Sequence, residues 1–383
     1  MSGLILRRAG RRRPRRDRGA VVALVSVLLA GGVLTGMGAL VVDVGLLYAE
    51  REQLQSGADA GATAVAAVCA QRPAECTESD MGTLAEAGYA DANSPDGLAD
   101  AEVCGQGLPL GACTPGVGNL TDCLALPSSV PAGAPYVEVR TTTEVAGGAT
   151  ALPPVFAGTF TGYDGTTIGA CSRVSWGPAG VADVEPAMAI SRCYWETATS
   201  NGTVYQPKPT ATSYGSADPS REVVLHWHAP DDPSPACGGL PDGFGWFTNT
   251  GGTCRREVEA QNWYDGRAMA HTPPGCADDL MDAFSNRSPV SVAIIDQAND
   301  PAHPGEYRVA GIARFVVTGW ASTVGWIGGP SSDQPSPLTG AATCSGSGDQ
   351  FCVFGYFTTG VLPTGIGTLG DPHYGAVYLK TIG

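Results

Sequence analysis

Ala20–Val42, AVVALVSVLLAGGVLTGMGALVV, is a run of twenty-three residues without a charge. As one helix rising about 1.5 Å per residue it would reach about 34 Å, enough to cross the hydrocarbon core of a bilayer. Eight arginines between Arg7 and Arg18 precede it, against the single Asp17, and Asp43 follows it. Arginine on one flank only predicts that the N-terminus stays in the cytoplasm and that everything after Val42 lies outside. The rival for the same residues is a cleaved export signal. Its apolar core is usually shorter, about 7 to 15 residues, and ends at a small-x-small site. Here Ala58 and Ala60 have that spacing but lie far beyond the run, so the reading is a retained anchor.

The charge distribution agrees. The first eighteen residues carry +7 and the whole chain −15, leaving −22 on the remainder. A basic tail suits an anionic inner leaflet, and an acidic bulk repels nucleic acid, which is excluded as a partner. All twelve cysteines fall after the run, between Cys69 and Cys352, and no Cys-x-x-Cys occurs. An even number on the oxidising side reads as disulfides rather than as a zinc ribbon or a redox pair. Connectivity stays open, with Cys344–Cys352 and Cys254–Cys276 favoured because they close short loops.

Beyond Val42 the apolar positions Leu46, Leu47, Leu54, Val65, Ala66 and Cys69 keep a roughly helical spacing, so the helix is expected to continue to about Cys69 and stop at Arg72-Pro73. Its outer half, Gln53–Ala70, is mostly Ala, Gly and Ser, small enough to pack closely on a sheet. Within the apolar run Gly32 and Gly36 stand four apart, a spacing that lets a second helix approach, so self-association through these glycines is a candidate contact. Residues 70–135 read as a cysteine-tied connector with a short helix at Met81–Ala92. Asp91, Asn93, Asp96 and Gly97 superficially suggest a calcium loop, but Pro95 and Asp96 occupy the wrong positions, so they read as a helix end and turn. Tyr136–Val145 and Thr166–Trp176 alternate as strands, with the apolar turn Leu152-Pro-Pro-Val-Phe between them. Gly177–Pro186 reads as a Gly/Pro junction. After it, strands are expected at Glu222–His228, Val290–Ile295, Tyr307–Trp320 and Gln350–Val361, with a helix at Ala277–Phe284.

These residues carry a resemblance. Arg18-Gly-Ala-Val-Val-Ala, then Ala39-Leu-Val-Val-Asp-Val-Gly, Tyr48, Arg51, Gln53-Leu-Gln and Ala58-Asp-Ala-Gly-Ala, resemble the TadE/TadG-like proteins encoded with Tad (Flp) pilus-assembly systems. LPPVFAG, GTTIGACSRVSWG, Pro241–Trp246 and the strand YRVAGIARFVVTGW resemble the long actinobacterial form more loosely. Two features depart from the family. The fifth residue after Gly19 is Leu24, where processed pilin-like members carry Glu, and Asp296-Gln-Ala-Asn-Asp lacks the serines of a von Willebrand A-type metal site.

The expected fold class is α+β. A long N-terminal membrane-spanning helix continues into a small antiparallel sheet, pilin-like by the resemblance, followed by a disulfide-tied β-rich ectodomain. The expected divisions are a cytoplasmic basic tail at 1–19, a transmembrane helix at 20–42, a TadG-like extracytoplasmic helix, connector and strands at 43–180, and the β-rich ectodomain at 181–383.

No catalytic, cofactor or metal residues are nominated. His226 and His228 would share a strand face but lack a third ligand, and His271, His303 and His373 sit in loop-like surroundings. G-x-S-x-G, H-E-x-x-H and a Gly-rich phosphate loop are absent from the sequence. The adjacent pairs Asp231–Asp232 and Asp278–Asp279 would face apart and be solvated. The sequence therefore suggests a single-pass, non-enzymatic envelope protein of the cell membrane, with the lipid bilayer and pilus-assembly or envelope proteins as partners. The alternative is an anchored or secreted hydrolase of an envelope substrate.

Overall fold

A computed structural model describes residues 18–107, 109–114, 123, 125–158, 162–234, 237–248, 253–268, 272–323, 333–344, 351–362, 366–368 and 374–383. The basic tail before Arg18, His271 and His373 lie outside the described residues.

The apolar run is not one helix. Helix α1 (Arg18–Ala30) stops at Gly31-Gly32, and α2 (Val33–Gln71) starts afresh. Gly32 takes a left-handed conformation, φ 71°, which ends a helix readily only when Cβ is missing. Its amide reaches back to the Leu29 carbonyl (3.2 Å), while Gly36 donates to the Gly32 carbonyl (2.7 Å). The expected membrane-spanning helix at 20–42 is therefore corrected: α1 is thirteen residues long, and the apolar start of α2 meets Asp43 after ten. No helix among the described residues is long and apolar enough to cross a membrane. The break makes Gly32 the cap of α2, with Gly36 one turn into the helix.

The outer half of α2 follows expectation. Leu54, Ala58, Ala62, Val65, Ala66 and Cys69 are buried, at helical spacing. Gly57 and Gly61 let neighbours close in: a Cβ on Gly57 would lie 3.1 Å from the Ala90 Cα. The helix ends at Arg72, whose amide donates to the Val68 carbonyl (2.8 Å), and Cys69–Cys76 staples the turn that follows. Next comes α3 (Glu78–Ala85), whose cap is Thr77, accepting from the Asp80 amide (3.2 Å), and which runs on through a π turn to Asn93. Asp91 and Asp96 accept from the amides of Ala99 and Leu98, as a helix end and turn require.

The platform under α2 is antiparallel: β1 (Ala99–Gln106) pairs with β2 (Tyr136–Thr143). A two-stranded ribbon, β3 (Ala151–Leu152) and β4 (Thr166–Thr167), leads to β5 (Gly169–Val184), which pairs with β2. Thr141 Oγ1 donates to the Leu54 carbonyl (2.9 Å), fixing the helix to the sheet. Gly177–Pro186, read as a junction, is instead the second half of β5 as far as Val184, so residue 180 lies inside a strand. Glycine and proline are tolerated there because β5 changes partners along its length. Its first half pairs with β2, the strand Ala376–Thr381 runs along its other edge from Val174 to Pro178, and its last residues pair with the strands Ile366–Gly367 and Arg256–Glu259.

A second sheet holds the larger core. Its elements are β6 (Met188–Ser191), helix α4 (Arg192–Thr199), β7 (Val223–His226) and β8 (Phe244–Trp246). They are followed by β9 (Arg256–Glu259), β10 (Trp263–Asp265), helix α5 (Cys276–Asn286), β11 (Val290–Asp300), β12 (His303–Ser322) and β13 (Phe351–Thr358). The sheet order is β7-β13-β12-β11-β6-β8, with β10 along β12, while β9 pairs with β5. All pairs are antiparallel except β11 with β6. Trp246, Trp320, Tyr307, Phe244, Phe247 and Phe315 fill the interior. In the Pro241–Trp246 segment Gly243 has φ 116° and passes so near the His226 carbonyl that no side chain would fit. The strands β14 (Gly360–Val361), β15 (Ile366–Gly367) and β16 (Ala376–Thr381) return to the first sheet, β16 directly beside β5. Six disulfides join all twelve cysteines, among them the two pairs favoured from sequence.

Candidate functional site

From Val21 to Tyr48 the two helices present large apolar side chains to the outside: Val27 is 70% exposed and Val41 71%. Among the described residues the remaining large apolar side chains exposed in this way are Leu126, Val155, Phe156, Tyr163 and Val204. Three of these five belong to one segment, the loop between β3 and β4. Such a contiguous surface marks a contact with something apolar.

Asp43 ties the two together. Its carboxylate is 7% exposed and accepts from three successive backbone amides: Val155 (2.9 Å) and Phe156 (3.2 Å) on Oδ1, and Ala157 (2.7 Å) on Oδ2. Successive N–H groups converging on one anion form a nest. Pro153 and Pro154 set up the turn while removing donors that would have gone unmet. Between loop and helix lies a groove of about 540 Å³ lined by Leu40, Val44, Leu47, Leu152, Pro154 and Tyr163. In the sequence Asp43 reads as the edge of the apolar run and LPPVFAG as a turn. Both segments were visible, but a contact across 112 residues has no local signal. Asp43→Asn is expected to cost about 1–3 kcal/mol, because an amide offers one acceptor oxygen where two are used. Hydrogen exchange should rise at Val155–Ala157 and stay unchanged at the buried strand β2.

The other polar clusters divide into structural pairs and one cleft. Glu138 on β2 is fully buried and held by Arg140 Nε (2.7 Å) and by the Arg173 guanidinium from β5 (Nε 2.9 Å). Potential three-ligand metal groups among the described residues are Cys104, Cys113 with Glu138, and Cys123, Cys171 with Glu138. Their sulfurs are spent in disulfides and their carboxylate in ion pairs, so neither group supplies a thiolate. His226 and His228 enter no such group, and His228 Nδ1 instead meets Asp232 Oδ2 (2.8 Å). His303 stacks on Trp263 with ring centroids 4.4 Å apart.

The cleft, about 540 Å³, opens beside α5 and is lined by Asp183, Glu185, Asp279, Asp282, Arg255 and Arg314. Arg255 pairs with Asp183, and Arg314 donates to Ser291 Oγ (2.7 Å). Asp279, expected to be solvated, is half-buried, and burial followed by the charges of Glu185, Asp278 and Asp282 pushes its carboxyl up to about 6. A carboxyl whose folded pKa lies above its unfolded value of about 3.9 loses stability as pH rises through the folded value. Asp279→Asn should therefore raise the melting temperature at pH 7, and the difference from wild type should vanish by about pH 4. A thermal melt series across that range reads it directly.

In class, the N-terminal half is a helix docked on an antiparallel sheet and extended by an exposed apolar rod. Residues 19–68, which are nearly all of that rod and the docked helix, match the model of the putative Flp pilus-assembly TadE/G-like family. No curated protein matches the chain, and no solved structure matches it.

Proposed function

We propose that this chain is a membrane-anchored, non-enzymatic envelope protein working with the components of a Flp-type pilus-assembly system. One observation carries the reading: the segment that matches the pilus-assembly family is the same segment that leaves its apolar side chains uncovered. The anchor is the α1–α2 pair rather than a single helix. At about 1.5 Å per residue, α1 contributes roughly 20 Å and Val33–Tyr48 roughly 24 Å, comparable with a bilayer including its interfaces. Cysteines joined throughout the rest of the chain fit an oxidising, extracytoplasmic position. The two sheets then serve as a docking surface for other envelope proteins.

Flotation and carbonate extraction of membranes, with protease protection in intact cells and sequencing of the mature N-terminus, test this. The full chain should remain with the membrane, its C-terminal region accessible from outside. Serine at Leu24, Val27, Met37 and Val41 together should release it. Recovery of the intact chain as a soluble species with reduced thiols would overturn the reading. The hydrolase alternative would have to use the acidic cleft, and loss of a hydrolytic activity in Asp279→Asn would favour it.

A further inference from the structure

The Asp43 clamp changes where the apolar surface ends. An unpaired carboxylate one residue after Val42 would force the outer boundary of the bilayer to that point. Instead the carboxylate is bonded to three amides and 7% exposed, and apolar side chains continue past it at Val44, Leu46 and Tyr48. Along α2 charge begins again at the partly exposed Glu50, followed by the exposed Arg51 and Glu52. Beside this extra stretch the clamp holds Val155 (55% exposed) and Phe156 (42%), with Tyr163 (43%) closing the groove. The loop between β3 and β4 carries a single charge, Asp164, exposed next to Tyr163.

We propose that this loop is a second membrane contact, lying in the outer interfacial layer beside α2, so that the protein meets lipid through a helix and a loop locked together by Asp43. The inference rests on the reading of α1–α2 as an anchor. The chemistry of the patch favours lipid over a protein partner. Its exposed apolar side chains adjoin those of the rod, with the exposed Asp164 at their edge, and Tyr48 and Tyr163 have the apolar body and polar tip that suit the level of the headgroups. The groove between helix and loop is apolar apart from the satisfied Asp43, a lining suited to acyl-chain methylenes and poor for water. Three amides that the polyproline turn would otherwise expose to hydrocarbon are satisfied by the carboxylate, and the carboxylate by them. Neither group could enter the interface alone.

The test uses the full chain in vesicles of phosphatidylcholine and phosphatidylglycerol, with a dansyl side chain introduced genetically at Phe156 and, separately, at Val204, which is exposed on a different surface. Doxyl groups placed at shallow or deep positions of the acyl chains quench by proximity. The proposal expects the protein to float with the vesicles, dansyl at 156 to be quenched more by the shallow label than by the deep one, and dansyl at 204 to be unaffected. Asp43→Asn should reduce quenching at 156 to the level at 204 while flotation persists. Flotation with equal, weak quenching at 156 and 204 would overturn the loop contact and leave the helical anchor standing. Stronger quenching by the deep label would overturn the interfacial placement. A chain that does not float would overturn the anchor, and the loop contact with it.

Discussion

Glu138→Gln is expected to lower the stability of the oxidised protein by about 3–5 kcal/mol, because it removes the carboxylate shared by two buried guanidinium groups. Glu138 is fully buried, and the side chains of Arg140 and Arg173 are only 8% and 10% exposed, so water cannot stand in for the lost charge. The pair with Arg173 also joins β2 to β5, the two strands on which α2 rests, so the loss should appear as cooperative unfolding of the first sheet with the helix. Urea denaturation of the full chain, followed by far-UV circular dichroism, measures it. Pairing Glu138→Gln with Arg173→Met should recover part of the loss, since an apolar side chain of similar length needs no counter-charge. A change below about 1 kcal/mol would mean that the pairs are solvated and the sheet is held by its backbone ladder alone.

Removing Cys193–Cys237 by double serine replacement should cost about 4 kcal/mol, against about 2.5 kcal/mol for Cys344–Cys352. The first pair spans 44 residues and the second 8, and a longer closed loop removes more freedom from the unfolded chain. Cys193 belongs to α4, which follows β6, the strand between β11 and the edge strand β8 of the second sheet, so the effect should concentrate there. Comparing the denaturation midpoints of the two variants tests the ordering without needing absolute values. Equal losses would show that the unfolded ensemble is already compact around the longer loop.

Local signals carried much of the fold. The end of α2 was legible because Arg72-Pro73 stops a helix and small residues at helical spacing announce a close-packed face. Strands β2, β7, β11, β12 and β13 were legible from β-branched and aromatic runs, as was α5. The break at Gly31-Gly32 was not, because hydropathy weighs apolar content and is blind to a left-handed glycine. The second half of β5 carries glycine and proline that read as a linker, and it is a strand only because β9, β15 and β16 come to it from far along the chain. β1 was hidden within the cysteine-rich connector, where its small and polar residues give no strand pattern. The candidate site divides in the same way. The apolar rod stood out in composition, whereas Asp43's bond to the loop and the half-burial of Asp279 arise only from tertiary packing.

The seat of the N-terminal helix is completed by β16, which lies along β5, with the Ile382 amide donating to the Arg173 carbonyl (2.8 Å). A chain made from its amino end delivers α2 early and β16 late. The helix therefore rests on an unfinished floor until the chain has been made as far as β16, and shorter intermediates leave that flank of β5 open. Closure of the first sheet thus depends on a strand made long after the one it covers.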